Sequence, residues 1–344
     1  MRRQCESERR RTAKKESTGR LSEQIRILNL ENRKGTAEVC QTHGPDCFAP
    51  FPAFLFSKLN HFPSATLRET CQPWFNPAQQ LKPIRIIRWQ DGRSVTATDQ
   101  LAAEEPLEIR VDSRSVSVTM RTPGHDPELA IGFLVTEGII RQRDEVRDIR
   151  TSPRNRAGNV VDVLLAPEVQ VDFTRLTRHV FASSSCGLCG KASIAAVRGQ
   201  FPRVTSEFTV APETLLALPD RMRAAQTTFA STGGLHAAAL FTATGELLVL
   251  REDVGRHNAV DKVLGRAFLD GLTPLRDHLL LVSGRTSFEL MQKALAAGIA
   301  LVAAVSAPSS LAVEFARANG QTLVGFLRDG RFNLYAGRKR VKLR

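Results

Sequence analysis

Alternating hydrophobic and polar positions begin near residue 82 and predict a β-rich region. The segments IRIIRW, LEIRVD and SVSVTMR each end at polar or turn residues, as strands with one buried face do. A helix is predicted from about Asp126 to Glu137, and VVDVLLAP and VQVDFT are predicted as two further strands after it. The pattern therefore predicts a β-rich N-terminal subdomain over residues 81–180.

The pattern changes toward the C-terminus, where apolar strands alternate with amphipathic helices. A hairpin is predicted from His236 to Arg251, a helix from near Gly255, and a βαβαβ unit over residues 279–326. Parallel strands with right-handed crossovers place the turns after them at one edge of the sheet. We therefore predict an α/β fold, α+β overall, with an α/β domain over residues 201–344.

Residues 1–80 show no such periodicity. A mixed charge run leads into proline-rich segments such as FAPFPAFLF, and proline interrupts both helices and sheets. We predict a largely disordered N-terminal extension. Its apolar segment Phe48–Phe56 favours the alternative, docking on the folded body or on a partner.

Composition and charge narrow the class of protein. The 344 residues are 42% hydrophobic, but no window approaches the roughly 18 consecutive apolar residues of a membrane helix. Lys and Arg outnumber Asp and Glu by 48 to 35, which favours anionic partners. Aromatic residues make up only 6% of the chain, too few for a platform that stacks nucleic-acid bases. Six cysteines are too few for a disulfide framework, so we expect a cytoplasmic protein. Because the chain has no membrane-helix window and few aromatic residues, we expect neither a membrane nor a nucleic acid as its partner.

The sharpest local signal is SSSCGLCGKASIAAV, in which two residues separate Cys186 from Cys189 ahead of a helix-forming run. It predicts a mobile Cys-x-x-Cys loop and helix over residues 181–200, where the positive helix start and Lys191 favour the nucleophilic thiolate. Dithiol exchange, zinc coordination, persulfide transfer and a buried structural pair are the alternatives. No second cysteine pair follows to complete a zinc site, so we expect no metal ligands.

Polar residues gather where the predicted strands of the α/β domain end. Seven of them surround the predicted helix start near Gly255: Glu252, Asp253, Arg256, His257, Asn258, Asp261 and Lys262. Hydroxyl residues that cap or flank helix starts come after the later strands: Ser283, Thr286, Ser306, Ser309 and Ser310. Arg285, Arg328 and Arg331 add positive charge for an anion. Helix capping explains the serines equally well, and His236 is interpreted as a core histidine.

Taken together, SCGLCG, TGGLHAAAL, REDVGRHNAVDKVLG, LLVSGRTSFELMQKA, AVSAPSSLAVE and TLVGFLRDGR resemble the formate dehydrogenase accessory sulfurtransferases, the FdhD family. The resemblance runs from about Ile84 to the C-terminus. It implies a cytidine deaminase-like α/β domain without the zinc site of the deaminases. It also implies that sulfur passes from a cysteine desulfurase to the molybdenum (or tungsten) cofactor of formate dehydrogenase.

The same resemblance assigns roles to residues of this chain. Cys186 carries the persulfide and Cys189 assists. The cofactor, molybdenum bis(molybdopterin guanine dinucleotide), is bound as a substrate through its GDP-like moiety by Phe326, Leu327, Arg328, Asp329, Gly330 and Arg331. To these we add four candidates at the predicted sheet edge: His257, Ser283, Arg285 and Ser306.

Two functions remain open on the sequence. One is a sulfurtransferase in which Cys186 turns over, with a cysteine desulfurase and formate dehydrogenase as partners. The other is a non-catalytic cofactor chaperone or a dithiol redox protein. A symmetric homodimer is expected for either.

Overall fold

The computed structural model of the protein describes residues 80–151, 159–173 and 201–343. Cys186 and Cys189 lie outside these ranges, as does the predicted extension up to residue 79. The predicted domain boundaries at residues 80, 180 and 200 therefore stay predictions.

A two-stranded ribbon opens the described part of the chain. β1 (Leu81–Gln90) and β2 (Arg93–Ala102) pair antiparallel along their whole length. The turn between them, at Asp91 and Gly92, has φ angles of 52° and 77°, as a tight two-residue hairpin turn requires. Gln80 anchors the base, because its side chain donates to the Pro123 carbonyl and accepts from the Thr228 hydroxyl at 2.7 Å.

A four-stranded sheet follows, with the spatial order β4-β3-β6-β5. It consists of β3 (Glu105–Val111), β4 (Arg114–Arg121), β5 (Val146–Thr151) and β6 (Val160–Leu165). β3 pairs in parallel with β6, and the other neighbours pair antiparallel. One face packs under helix α1 (Asp126–Thr136) through alternating apolar side chains: Leu107, Ile109, Val111, Val161, Val163 and Leu165.

The second sheet has six strands in the order β12-β11-β10-β9-β7-β8. They are β7 (His236–Thr242), β8 (Leu247–Asp253), β9 (His278–Val282), β10 (Leu301–Ala304), β11 (Thr322–Arg328) and β12 (Arg331–Ala336). β9, β10 and β11 are parallel, whereas β7, β8 and β12 join antiparallel. This arrangement confirms the predicted βαβαβ unit and the predicted hairpin.

Helices cover both faces of the six-stranded sheet. Leu280 and Val302 contribute to the core under α4 (Arg256–Leu269), α5 (Phe288–Ala296) and α6 (Ser310–Ala318). Leu279 and Leu301, one residue earlier in each strand, contribute to the opposite core beside α2 (Pro212–Ala225). The short helix α3 (Thr227–Thr232) leads into β7. The chain thus has a mixed α/β fold, and no helix of its described part is both long and apolar enough to cross a membrane.

Two glycines bring α1 and α4 into backbone contact. A Cβ on Gly132 would lie 1.8 Å from the carbonyl oxygen of Asp261, and a Cβ on Gly265 would lie 1.8 Å from that of Glu128. No larger residue fits at either position without separating the helices. The four-stranded and six-stranded sheets are therefore joined through this helix pair.

The residues after β12 close the amino edge of the six-stranded sheet. Val341 forms an isolated parallel bridge with Val210. The Arg340 guanidinium donates to the Ser206 carbonyl at 2.6 and 2.9 Å and to the Gly320 carbonyl at 2.7 Å. These contacts anchor the segment that begins at Phe201, directly after the undescribed residues 174–200.

One predicted strand is wrong. VQVDFT is irregular over residues 169–172. Its Val169, Val171 and Phe173 instead pack as partly buried side chains on the core of the four-stranded sheet, and the Arg114 guanidinium lies 4.5 Å from the Phe173 ring centroid. The alternation therefore reflects docking of a loop and not pairing of a strand.

Candidate functional site

The carboxyl edge of the six-stranded sheet collects the ends of β9, β10 and β11 and the starts of three helices. Ser287 caps α5 by accepting from the Leu290 amide, and Ser309 caps α6 by accepting from the Ala312 amide at 3.2 Å. Gly255 precedes α4 without a side-chain cap. Helix starts present unpaired backbone N–H groups, which attract anions.

Three of the predicted site residues lie in a row along this edge. Ser283, directly after β9, accepts from the Ala237 amide through its Oγ at 2.9 Å. Ser306 follows β10, and its carbonyl accepts from the Phe326 amide at 3.1 Å. Adjacent strands are about 4.8 Å apart, so the row from Ser283 to Phe326 spans about 10 Å. Arg285, two residues beyond Ser283, is exposed.

The stretch from Phe326 to Arg331 forms a hairpin, which corrects the expectation that its arginines follow a final strand. β11 runs through Arg328, β12 begins at Arg331, and Asp329 and Gly330 make the turn with φ angles of 53° and 69°. Leu327 is buried, whereas all four residues from Arg328 to Arg331 are exposed. Arg328 lies 3.8 Å from the Asp329 carboxylate, with half of its side chain exposed. The two arginines thus stand opposite each other at the tip of a hairpin.

A cavity of about 600 Å³ opens beside Ser283. Its lining includes Arg223, Phe229, Gly234, His236, Ser283 and Val305 but none of the residues from Phe326 to Arg331. His236, interpreted from the sequence as a core histidine, is half-buried and lines this cavity. Burial, followed by the charge of Arg256, lowers the pKa of His236, so the imidazole is neutral at pH 7.

Two buried polar groups close to this edge have no hydrogen-bond partner among the described residues. They are the Nε of Arg256 and the Oγ1 of Thr286. Arg256 and His236 both approach Gly284, because a Cβ there would lie 3.3 Å from His236 Nδ1 and 3.7 Å from Arg256 Cδ. An unpaired guanidinium N–H beside helix starts suits an anionic ligand.

Most of the polar cluster at the start of α4 is structural. The Asp253 carboxylate contacts Lys262 at 2.7 Å and accepts from the Thr122 amide at 3.1 Å. Glu252 accepts from the amides of Thr228 and Phe229 at the start of α3. The contacts of Asp253 tie β8 and α4 to the segment after β4, and those of Glu252 tie β8 to α3. They explain the two carboxylates and Lys262 without a ligand.

His257 also contacts protein groups. Its Nε2 lies 3.0 Å from the Glu289 carboxylate and 3.4 Å from the Ser287 hydroxyl. Burial, followed by the charges of Lys293 and Arg256, lowers the pKa of His257 to about 3. The imidazole is therefore neutral at pH 7, and burial raises the pKa of Glu289 beside it. A role of His257 toward a cofactor stays a prediction.

One turn further along α4, a buried ion pair joins α4 to α5. The Asp261 carboxylate contacts Lys293 at 2.9 Å, and both side chains are buried. The Thr136 hydroxyl donates to Asp261 at 3.0 Å. Asp261 therefore has a structural partner, although it shares a helix face with His257.

Comparison with known proteins agrees with the motifs. The family model of the FdhD/NarQ family matches residues 102–342. The sulfur carrier protein FdhD of Streptomyces avermitilis is 54% identical over 273 residues, which cover 76% of this chain and 95% of the relative. Its namesake in Mycobacterium tuberculosis is 52% identical over 267 residues, 75% of this chain and 97% of the relative.

A distant relative and a solved structure extend the likeness. The sulfur carrier protein FdhD of Sulfurisphaera tokodaii is 40% identical over 265 residues, covering 76% of this chain and 99% of the relative. The crystal structure of a putative formate dehydrogenase accessory protein from Desulfotalea psychrophila shares the fold, with a TM-score of 0.62 at 22% identity over 76% of this chain and 99% of that one. On this evidence, the chain belongs to the FdhD/NarQ family.

Proposed function

We propose that this protein is a sulfurtransferase that carries sulfur, as a persulfide on Cys186, from a cysteine desulfurase to the molybdenum (or tungsten) cofactor of formate dehydrogenase. The observation that carries the proposal is a Cys-x-x-Cys motif in a chain 54% identical to a protein named sulfur carrier. The structural neighbour is named a putative formate dehydrogenase accessory protein, which supports formate dehydrogenase as the enzyme that receives the sulfur.

Loading of Cys186 needs only a thiolate and a persulfide donor. The Cys186 thiolate attacks the terminal sulfur of a persulfide on the donor enzyme. The donor S–S bond breaks, its cysteine leaves as a thiolate, and a new S–S bond forms on Cys186, so no external oxidant is required. Cys189 assists when its thiolate attacks Cys186 Sγ, which releases HS⁻ and leaves a disulfide for a cellular dithiol to reduce.

The carboxyl edge is the surface that best suits the cofactor. The guanine dinucleotide form of the cofactor carries several phosphates, and the edge offers three helix starts together with Arg285, Arg328 and Arg331. The unpaired Nε of Arg256 adds a donor that the sequence did not single out as a ligand. In this proposal the cofactor is a substrate, held by the hairpin from Phe326 to Arg331 and by the row containing Ser283 and Ser306.

Labelling tests the proposal directly. The full chain is mixed with a cysteine desulfurase and ³⁵S-cysteine, and label on the chain is measured by non-reducing gel and by mass spectrometry of the Cys186 peptide. We expect label on wild type, none on Cys186→Ala, and label on Cys189→Ala with only partial activation of formate dehydrogenase.

The alternatives predict a different result. Unlabelled wild-type Cys186, together with normal activation of formate dehydrogenase by Cys186→Ala, would leave a cofactor chaperone. A Cys186–Cys189 disulfide that cycles with a dithiol reductant, without any sulfur label, would indicate a redox protein.

A further inference from the structure

A second cavity, of about 690 Å³, opens at the amino edge of the six-stranded sheet. Among the described residues, Arg317, Lys339 and Arg340 line it together with one carboxylate, that of Glu207, and we call it the basic pocket. None of the residues assigned to the cofactor lines this pocket. The proposed cofactor site therefore leaves its positive charge unexplained.

Hydrogen bonds between its walls give the basic pocket a fixed shape. The Val204 amide donates to the Asn319 carbonyl at 3.0 Å. The Arg340 guanidinium donates to the carbonyls of Ser206 and Gly320, which belong to different segments of the wall. A site that is already formed loses little conformational freedom when a ligand binds, so the pocket is suited to binding.

Two of the three cations keep their charge available at this edge. Arg317 and Lys339 are exposed, and in the described residues neither forms an ion pair with a carboxylate. The Arg317 guanidinium donates to the Tyr335 carbonyl at 3.2 Å, which positions the side chain without neutralising its charge. These two side chains are therefore free to pair with an anionic group from outside.

The surroundings of the basic pocket are also positive. The segments 201–210, 275–278, 317–321 and 337–343 meet at this edge through hydrogen bonds between them. They contain seven Lys or Arg and two Asp or Glu, a net charge of +5. A surface of this charge attracts acidic partners and guides their approach.

The charge of this chain disfavours the occupants that the chain itself could supply. Residues 1–79 contain 13 Lys or Arg and 8 Asp or Glu, a net charge of +5, so the basic edge repels the N-terminal extension. A second copy of the chain in a two-fold contact would bring the same positive surface to the same place. The complementary occupant is therefore an acidic segment of a different protein, as in other sites where Arg clusters recognise acidic motifs.

The basic pocket is tethered to the motif cysteines through the chain. Its wall begins at Val204, 15 residues after Cys189 and 18 residues after Cys186. An extended chain spans at most about 3.5 Å per residue, so Cys186 lies within about 60 Å of the pocket. A protein bound at the pocket is thus close to the thiol, and in the proposed function the protein that must reach this thiol is the sulfur donor.

We propose that the basic pocket docks an acidic segment of the cysteine desulfurase that loads Cys186. Carboxylates of this segment pair with Arg317 and Lys339, while Arg340 holds the walls of the pocket together. The inference rests on the proposed sulfur transfer and adds to it the surface that holds the donor. Because the pocket lies at the amino edge, a docked donor leaves the carboxyl edge free for the cofactor.

Calorimetric titration with the cysteine desulfurase tests the docking surface. The full chain carries Cys186→Ala throughout, so that sulfur transfer contributes no heat. Arg317→Ala/Lys339→Ala should raise the Kd for the desulfurase at least tenfold, because two charge-assisted contacts are lost. The difference should shrink between about 50 and about 300 mM KCl, because salt screens exposed charges. Both side chains are exposed, so circular dichroism should show an unchanged fold.

Arg141→Ala/Arg147→Ala is the matched control, since it removes two exposed cations outside the pocket. It should bind the desulfurase as the parent chain does. A hexaglutamate peptide should displace the desulfurase, and a hexalysine peptide should not displace it from the pocket. An unchanged Kd in Arg317→Ala/Lys339→Ala, or an equal loss in the control, would overturn the proposal. Binding of a transfer RNA that is lost in Arg317→Ala/Lys339→Ala while desulfurase binding persists would also overturn it.

The labelling assay separates failure of docking from failure of sulfur transfer. In chains with an intact Cys186, Arg317→Ala/Lys339→Ala should need at least tenfold more desulfurase for half-maximal loading but reach the same saturated rate. If the desulfurase binds at the pocket and wild type takes no label, the proposed sulfur transfer is wrong and the docking surface stands. If wild type is labelled and the pocket variant is loaded as efficiently, the docking surface is wrong and sulfur transfer stands.

Discussion

At the scale of single residues, the buried carboxylate of Glu128 is paired with a cation on another element. Glu128 on α1 receives two hydrogen bonds from Arg251 on β8, at 2.5 and 2.8 Å. Burial alone would raise the pKa of Glu128, but the bonds from Arg251 and His125 lower it to about 2. A buried carboxylate of this kind stabilises the fold only while it is ionised.

This pKa predicts a pH dependence of stability. Because the folded pKa of Glu128 lies below its ordinary value of 4.5, the stabilisation is complete above about pH 4.5 and is lost as the pH falls toward 2. Glu128→Gln should therefore lose about 3 kcal/mol less free energy of unfolding than wild type between pH 5 and 2. Urea unfolding at both pH values measures this difference, with the exposed Glu104→Gln as control. Parallel losses in wild type and Glu128→Gln would contradict it.

At the scale of elements, α1 and α4 pack so closely that their backbones are in contact at Gly132 and Gly265. An added methyl at Gly265 would also approach the Gly132 amide nitrogen to 2.7 Å, so both backbones would have to move. The helix propensity gained by alanine, about 1 kcal/mol, is small beside such a clash.

We therefore expect Gly265→Ala to reduce the free energy of unfolding by about 3 kcal/mol or more, measured by urea denaturation. Gly234→Ala is the matched control, because a Cβ there meets no atom closer than 3.8 Å. Equal stability of both variants would show that the helices separate at little cost.

The elements that the sequence predicted are those with strong periodicity. The strands β9, β10 and β11 are nearly all apolar, so their parallel arrangement and the row from Ser283 to Phe326 followed from topology. β5 (VRDIRT) was not predicted, because an edge strand tolerates charged residues that break the hydrophobic pattern. α2 was not predicted, because Pro219 lies within the helix.

The candidate site was less predictable than the fold. Serines and arginines after strands are visible in a sequence. The approach of His236 and Arg256 to Gly284 depends on packing between β7, α4 and the turn after β9, which no local pattern encodes. The same packing leaves Arg256 Nε without a hydrogen-bond partner in the described residues. Whether a buried donor finds an acceptor depends on the folded structure, and the spacing of residues in the sequence does not determine it.

At the scale of the whole molecule, a double variant should separate nucleotide binding from sulfur loading. Replacing both Arg328 and Arg331 with Ala should weaken GDP binding by roughly 2–4 kcal/mol, because charge-assisted bonds to phosphate are lost. Loading of Cys186 should survive, since it requires only the thiolate and the donor. Calorimetry with GDP and the labelling assay measure the two effects.

The control for this double variant is Arg338→Ala/Lys339→Ala, which removes two exposed cations near the opposite edge of the sheet. It should bind GDP as wild type does. Equal loss in both double variants would reveal a general charge effect. Unchanged affinity in Arg328→Ala/Arg331→Ala would place the nucleotide elsewhere, and lost loading would mean that the donor enzyme docks on the hairpin.

The anchor formed by Arg340 and Val341 has a consequence for biosynthesis. The ribosome releases the chain from its N-terminus, so both motif cysteines and all strands of the six-stranded sheet emerge before the residues that hold Ser206 and Val210. A nascent chain that stops before residue 340 therefore lacks the contacts that hold Ser206 and Val210 at the amino edge. The six-stranded sheet therefore gains this anchor only once residues 340 and 341 have emerged, although all of its strands precede them in the chain.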